Sequence, residues 1–462
     1  MEQPISEKEV FLAKSELKAH DLTHKRKINF NIDKYNNAVI HGKHQFAAIE
    51  LARKQAKNIK WKAIEHLDKY LETFEKKFLE KGGKVLWAET SAEALAFVLE
   101  ICKMKNAKTV VKSKSMVTEE IHLNAFLKKH KIESIETDLG EYIQQLDNEP
   151  PYHIVTPAMH KSKEDIAKLF HEELGTEPNL SPSELTMVAR KKLREKFIEA
   201  EIGITGGNFL IAEEGAVCVT ENEGNGRLTT AFPKTHIAIV GIEKIIPSLK
   251  DLELFWPLLS TFGTGQKLTV YNSIFSGPRQ PGEVDGPEDM FVILLDNGRT
   301  NLLKEEVREA LYCIRCGSCL NACPVYKNIG GHAYGATYSG PIGAVITPHL
   351  KDMPTYGHLS YASSLCGNCT EVCPVHINIH GMLAKNRHIF VEEHDDTIVE
   401  RMAWRFYKRG MLHRSLMNGA SGKLKNILFK KLFHKSWGER RADPVFPNKS
   451  FNQQWEERRK KK

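Results

Sequence analysis

No run in this sequence comes near the roughly 20 consecutive apolar residues of a membrane-spanning helix, and stretches such as His236 to Ile242 are soon broken by charge. A secretory leader is missing too: Glu2, Glu7 and Glu9 precede any apolar run, where such a leader needs a basic start and an apolar centre. A cytoplasmic location is the expectation. Neither G-x-G-x-x-G after a strand nor G-x-x-x-x-G-K occurs, which removes the dinucleotide and ATP fingerprints. Helix-turn-helix, zinc-finger and aromatic RNA-binding signatures are also absent. The net charge of +8, visible at Lys430, Lys431, Arg440, Arg441 and Arg458 to Lys462, therefore reads as a solvated or partner-docking surface, with no nucleic acid expected. What is present is ordinary for a folded chain: 41% apolar and 27% charged residues can bury a sizeable core, and 462 residues exceed what one core usually serves.

Residues 1–43 are polar and Lys-rich, without a sustained apolar period, and predict an arm or irregular lead-in. From His44 to Phe78, Phe46, Ile49, Leu51, Ile59, Ile64, Leu67, Tyr70 and Leu71 recur at near-helical spacing, predicting one or two long helices. An alternation follows. Strands are expected at Lys84 to Ala88, Thr109 to Val111, Ile132 to Glu136 and His153 to Thr156. Helices are expected at Ala92 to Met104, capped by Ser91, at Thr118 to Lys129, at Lys163 to Glu173 and at Pro182 to Ala200. Such alternation implies a parallel sheet covered on both faces. Asn208 to Ile211 and Ala216 to Thr220 then predict a hairpin, and Thr235 to Gly241, Leu268 to Phe275 and Met290 to Leu295 further strands. The domain expectation is an arm at 1–43, an α/β domain at 44–298, a cysteine-bearing domain at 299–384 and a basic helical extension at 385–462 carrying Trp404, Phe406, Trp437 and Trp455. Packing of that extension over the cysteine-bearing domain is the plainer expectation beside docking on a membrane or partner.

Seven of the nine cysteines lie between positions 313 and 373. Cys313, Cys316, Cys319 and Cys323, followed by Pro324, spell C-x2-C-x2-C-x3-C-P, the bacterial ferredoxin run whose last cysteine serves the other of two clusters. A second copy at Cys366, Cys369 and Cys373 with Pro374 is one thiolate short, with Ser363 at the leading position. Crossed ligation predicts two [4Fe-4S] clusters. One is held by Cys313, Cys316, Cys319 and Cys373, the other by Cys323, Cys366 and Cys369. The fourth position of the second is open: Ser363, water, or a three-iron cluster. Structural zinc also uses C-x2-C pairs, but it needs four ligands per site and does not call for the C-x3-C-P endings. A disulfide framework does not suit a reducing compartment. Cys102 and Cys218 read as core. Gly330, Gly331, Gly335, Gly340 and Gly343 form either a plain connector or a loop whose amides reach cluster sulfides.

The run CIRCGSCLNACPVYKNIGGHAYGATYSGPIGAVITP, with SSLCGNCTEVCPV, resembles the iron–sulfur subunit family of bacterial lactate utilization, lactate-utilization protein B. The segments VVKSKSMVTEEI, GITGGNFLIAEEGAVCVTENEGNGR and FPKTHIAIVGIEKI resemble that family's LUD domain. The resemblance implies an α/β LUD domain akin to sugar-phosphate isomerases and CoA transferases (NagB/RpiA/CoA-transferase-like), then an α-helical dicluster ferredoxin domain and a helical C-terminal extension. It also implies an electron-carrying subunit of a three-protein system oxidising L-lactate to pyruvate. The partners would be a cysteine-rich-domain subunit and a second LUD-domain subunit.

The α/β segment carries weaker candidates. Lys112, Lys114 and Ser115 after a strand, with Glu119 and Glu120 opening the next helix, suit either an anion site or helix-dipole compensation. Gly206, Gly207 and Asn208 precede the hairpin bearing Glu213 and Glu214, where a carboxylate acts as base or simply solvates a turn. His153, His160 and His236 receive no catalytic assignment. Two other function classes stay open: a lactate-oxidising enzyme in its own right through the LUD cleft, and a redox-sensing or nucleic-acid-binding iron–sulfur protein.

Overall fold

The computed structural model describes residues 6–394, 398–419, 421–438 and 441–461, so Glu2, Arg440 and Lys462 lie outside the described residues. The chain divides into two compact units, Met1–His394 and Asp395–Lys462. Among the described residues, ten strands occur in the first: β1 (Lys84–Ala88), β2 (Thr109–Lys112), β3 (Glu133–Glu136), β4 (Ile202–Thr205), β5 (Phe209–Ile211), β6 (Ala216–Glu221), β7 (Thr235–Gly241), β8 (Ile245–Ile246), β9 (Tyr271–Phe275) and β10 (Asp289–Leu295).

Period-two alternation along β7 and β10 builds the central layer. Ile237 and Ile239, with Phe291, Ile293 and Leu295, join the core formed by Ala94, Val98 and Ile101 of the helix Ser91–Met104. Ala238, Val240, Val292 and Leu294 join the opposite core with Phe209, Val217 and Phe255. A strand buried on both faces is apolar along most of its length, and all seven residues of β7 are buried, with Thr235 and His236 its polar members. Six strands pair in the order β1-β10-β7-β4-β2-β3, all parallel. The hairpin β5–β6 carries β8 and β9 on its edges as a second, four-stranded sheet.

Several expectations need correction. The lead-in is not irregular: Glu7–Ala19 and Leu22–Gly42 are helices, the first opened by a reciprocal Ser6/Glu9 cap, and Phe11, Ile28 and Ile32 are buried. So narrow an apolar stripe hardly registers as periodicity. Thr90, not Ser91, caps the following helix, its Oγ1 accepting from the Glu93 amide at 3.3 Å. The helix expected over 118–129 is broken into Met116–Glu120 and Leu123–Lys129 by His122, whose φ is 55°. His153 to Thr156 is a loop: the Tyr152 amide donates to Pro157 O (2.9 Å), and His153 Nδ1 accepts from the Val155 amide (3.1 Å), so the backbone turns on itself. β4 had no clear sequence signal because Gly203 sits in its four residues; a Cβ there would lie 1.8 Å from Thr229 O, so only glycine admits the helix Asn225–Ala231 against the sheet.

Past residue 298 the first unit is helical, with Ser318–Ala322, Pro324–Ile329, Gly340–Leu350 and Ile379–His394 among its helices. The last runs through residue 384 without a break. The second unit consists of helices including Ile398–Leu412, Gly422–Leu432 and Phe451–Lys460, with Trp404, Phe406 and Trp455 exposed. Among the described residues no helix is long and apolar enough to cross a membrane.

Candidate metal centre and adjoining cleft

The two cysteine segments have matching backbones. Arg315 and Gly317 take left-handed conformations (φ 60° and 79°), and so do Leu365 and Gly367 (φ 53° and 84°) at the corresponding places. Each segment then enters a short helix, Ser318–Ala322 or Asn368–Glu371. The two helices exchange reciprocal bonds: Ser318 Oγ donates to Val372 O (3.3 Å), and Asn368 Nδ2 donates to Ala322 O (3.0 Å). The Arg315 amide donates to Cys313 Sγ (3.4 Å), and the Leu365 amide donates to Ser363 Oγ (3.1 Å). Ser363 therefore stands in the second segment where Cys313 stands in the first.

The thiols fall into two groups. Cys313, Cys316, Cys319 and Cys373 line one cavity whose remaining wall, apart from Arg315, is apolar, including Ile154, Leu320, Ile342 and Ile377. Burial pushes the Cys316 and Cys319 thiols up, with Cys373 and Cys313 adding charge repulsion, and pushes Cys373 up to about 12. The Ile342 amide, in the first turn of Gly340–Leu350, faces Cys319 and works the other way. Cys323, Cys366 and Cys369 form the other group. Burial and then Cys323 raise Cys369 to about 11, while Cys366 is exposed and held below the usual thiol range by the Asn368 amide. No disulfide forms among these cysteines. Thiols gathered this closely repel one another as thiolates, and a polycationic metal group between them removes that cost.

Cations crowd the enclosed group. Arg53 donates to Cys373 O from Nε (3.1 Å) and Nη2 (2.8 Å). Lys60 is buried, donates to Glu243 O (2.5 Å) and Ile245 O (3.2 Å), and is driven down to about 7 by desolvation and then by Lys244, with Cys313 opposing. Arg315 lies over the Tyr338 ring at 4.4 Å. Arg299 binds Glu243 (2.7 Å) and Glu120 (2.8 Å), which takes Glu120 out of any ligand role.

Next to this group, sharing Ile154, Arg315 and Cys316 with its walls, opens a cleft of about 260 Å³. Lys114, Ser115, Gly206, Gly207 and Asn208, all singled out in the sequence, line it. Lys112 does not. Its ammonium is buried among Glu136 (2.8 Å), Glu119 (3.2 Å) and Glu141 (3.5 Å), a closed structural cluster. Glu213 and Glu214 sit in the hairpin turn away from the cleft, His236 is buried 2.8 Å from Thr205 Oγ1, and His160 pairs with Glu149 at 3.0 Å. His153 packs against Gly317, 3.3 Å from where its Cβ would be. Of the glycines after Cys323, Gly330 and Gly331 face Tyr152 rather than a thiol. Cys102 and Cys218 are core residues as expected.

Against known proteins, the chain is 46% identical over 424 residues to lactate utilization protein B of Bacillus licheniformis, covering 89% of this chain and 88% of that protein. The Bacillus velezensis protein of the same name is 48% identical over 366 residues (79% and 77% covered), and that of Geobacillus sp. 46% over 360 residues (78% and 76%). This chain belongs to the lactate utilization protein B family. Residues 71–295 match the LUD domain family, and residues 309–377 match the 4Fe-4S dicluster domain family. The second match indicates iron–sulfur clusters in the segment that carries the paired thiols. The architecture of this family member is thus a LUD domain on a mostly parallel α/β sheet, a dicluster segment and a helical C-terminus.

Whether the thiols suit zinc instead is a question of spacing. Among the described residues, the groups of three potential ligands lying within 4.8 Å of one another are Glu149/His160/His332 and Glu119/Glu136/Glu141, and no cysteine belongs to either. A tetrahedral zinc with Zn–S bonds of about 2.3 Å would hold its sulfurs about 3.8 Å apart. As placed, no three of the thiols lie within 4.8 Å of one another, wider than a tetrahedral zinc would draw them.

Proposed function

We propose that this protein is the electron-carrying iron–sulfur subunit of a cytoplasmic system that oxidises L-lactate to pyruvate, working with a cysteine-rich-domain subunit and a second LUD-domain subunit. The observation that carries this reading is the sorting of the thiols into one enclosed and one exposed group across two backbone segments of matching conformation. Cys313, Cys316, Cys319 and Cys373 hold one [4Fe-4S] cluster. Cys323, Cys366 and Cys369 hold the other, with Ser363 Oγ at its fourth position. The cysteine segments act as an internal repeat, each lending its last cysteine to the other's site. The names of the relatives support the metabolic setting.

When bound, such clusters take up and release one electron at a time. The chain's residues make the two sites unequal. Arg53, Lys60 and Arg315 place positive charge beside the enclosed site and favour its reduced state, while apolar walls exclude water from it. Cys366 leaves the other site open to a partner. The α/β layer, in this reading, belongs with the folds of sugar-phosphate isomerases and CoA transferases and serves as a platform for the enclosed site.

The test is anaerobic purification with iron and sulfide analysis and low-temperature EPR, on the native protein and on Ser363→Cys. Two interacting centres are expected, one of them altered by the substitution. Colourless, zinc-loaded protein would defeat the proposal. Two unchanged signals in Ser363→Cys would defeat the assignment of Ser363.

A further inference from the structure

The glycine connector after Cys323 makes its closest contacts away from the thiols. A Cβ on Gly330 would lie 1.7 Å from Tyr152 Oη, and one on Gly331 would lie 1.8 Å from Tyr152 O, so only glycine lets this segment press against the loop that begins at Glu149. The close approach brings His332, the first residue of the turn His332–Tyr334, beside His160, with ring centroids 5.0 Å apart. One donor atom from each of Glu149, His160 and His332 then lies within 4.8 Å of the others.

The trio is held as a ligand set needs to be. Tyr152 stacks on the His160 ring (4.5 Å, 22°), and its hydroxyl is fixed by a 2.6 Å bond with His24 Nε2. His332 Nε2 lies 2.7 Å from Pro150 O, which only accepts, so Nε2 carries the hydrogen and Nδ1 keeps its lone pair. His160 Nε2 faces Glu149 Oε2 at 3.0 Å. A tetrahedral zinc with bonds of 2.0–2.1 Å holds its nitrogen and oxygen ligands roughly 3.3 Å apart, so exchanging the bridging proton for an ion needs little movement. His24 Nδ1 and His160 Nδ1 are buried without partners, so protein groups alone leave these imidazoles short of bonds. Burial pulls the His160 and His332 imidazoles below their usual range, into the neutral form that coordinates metal. Lys161 also donates to Glu149 (2.9 Å), but it is paired with Asp147 as well, and Lys18 nearby is paired with Asp21 at 3.4 Å. Carboxylates therefore outnumber ammonium groups around the trio.

We propose that Glu149, His160 and His332 bind one zinc ion, which fastens the LUD-domain loop at 149–160 to the segment between the two cysteine motifs. Magnesium and calcium take oxygen ligands, whereas two imidazoles and a carboxylate suit zinc, which outranks ferrous iron at such a set. Three protein ligands leave the fourth corner of the tetrahedron to water. The fastening reaches the thiols because the same loop carries Ile154, which lines their enclosed cavity. No cysteine takes part, so the site stands apart from the reading of the cysteine motifs.

The experiment uses the full-length protein, purified anaerobically so that the cysteines keep their own metal. Zn2+ is added against a competing chelator, retained zinc is counted by elemental analysis, and its neighbours are read by X-ray absorption at the zinc edge. One zinc per chain is expected, with nitrogen and oxygen at about 2.0–2.1 Å and no sulfur shell at about 2.3 Å. The melting temperature should rise with added zinc. His332→Gln, whose amide can still donate to Pro150 O, should weaken zinc binding about tenfold or more and remove that rise. Should it fail to fold, Glu149→Gln, at a side chain 37% exposed, should weaken binding to the same degree. No zinc retained by the native protein, a shell of sulfur alone, or zinc affinity unchanged in Glu149→Gln overturns the proposal.

Discussion

The two thiol groups are close copies in backbone and opposites in surroundings. Cys313 and Ser363 accept the same local amide, and the helices Ser318–Ala322 and Asn368–Glu371 exchange matching bonds. Yet one group lies in an apolar cavity ringed by Arg53, Lys60 and Arg315, and the other ends at exposed Cys366. Short-range geometry is therefore set within each segment, while dielectric and charge come from whatever the fold lays on top. The enclosed group lies beneath the α/β layer, which supplies Ile154 and Lys244; the exposed group has no such cover over Cys366. Under the proposed reading, this difference would give two electron sites of unlike potential.

The largest effect that would break the comparison is loss of a wall. Cys319→Ala removes a buried thiol from the enclosed cavity and should cost roughly half the bound iron together with several degrees of thermal stability. Cys366→Ala should lose the exposed centre and leave the melting temperature within about 2 °C. Iron analysis and calorimetry on the pair decide it, and equal melting losses would mean that the two groups are equally structural.

Acid should act on the fold rather than on either site. Burial pulls the His236 imidazole from 6.5 down to about 3. Below pH 6.5 the unfolded chain binds a proton that the folded one refuses, so stability present above that pH is lost as pH falls toward 3, at about 1.4 kcal/mol per pH unit for one such group. His236→Gln, which can keep a hydrogen bond to Thr205, should flatten the fall in melting temperature between pH 6.5 and 4, and both centres should be lost together in the native protein.

A smaller effect sharpens the electrostatic contrast. Lys60→Met keeps the bulk and removes a charge that Lys60, driven down to about 7, carries in full only below that pH, so in a titration at pH 6 the midpoint potential of the enclosed centre should fall by about 60 mV, a tenfold shift in a one-electron equilibrium. The exposed centre should keep its midpoint in the same redox titration. The smallest expected change is that of Ser363→Cys, which leaves the enclosed EPR signal untouched and alters the line shape of the exposed one.

Legibility in the sequence followed the range of the interaction. The thiol motif, the hairpin β5–β6 and the strands β1, β7 and β10 were readable because spacing, turn chemistry and apolar period are carried by neighbouring residues. The loop over 153–156 reads as a strand because Ile154 and Val155 have strand-like side chains; both are half-buried against the cleft, Ile154 also against the thiol cavity, and they form no ladder. β4 escaped because Gly203 lacks a side chain for a reason that only the helix Asn225–Ala231 reveals. Lys114, Ser115 and Gly206 to Asn208 were visible as candidates, but nothing near them in the chain points to Lys244 or Arg315 as their company.

By itself the sequence determined which side chains are offered: thiols at C-x2-C-x2-C-x3-C spacing, with Ser363 where an eighth would stand, since a short peptide loop has few ways to present its side chains. Only the tertiary structure decided which thiol group is dry and surrounded by positive charge and which is open, and that Lys244 shares a cleft with a cysteine segment. Burial and electrostatics act through space, and here they join residues 53, 60, 244 and 315, which no local pattern connects.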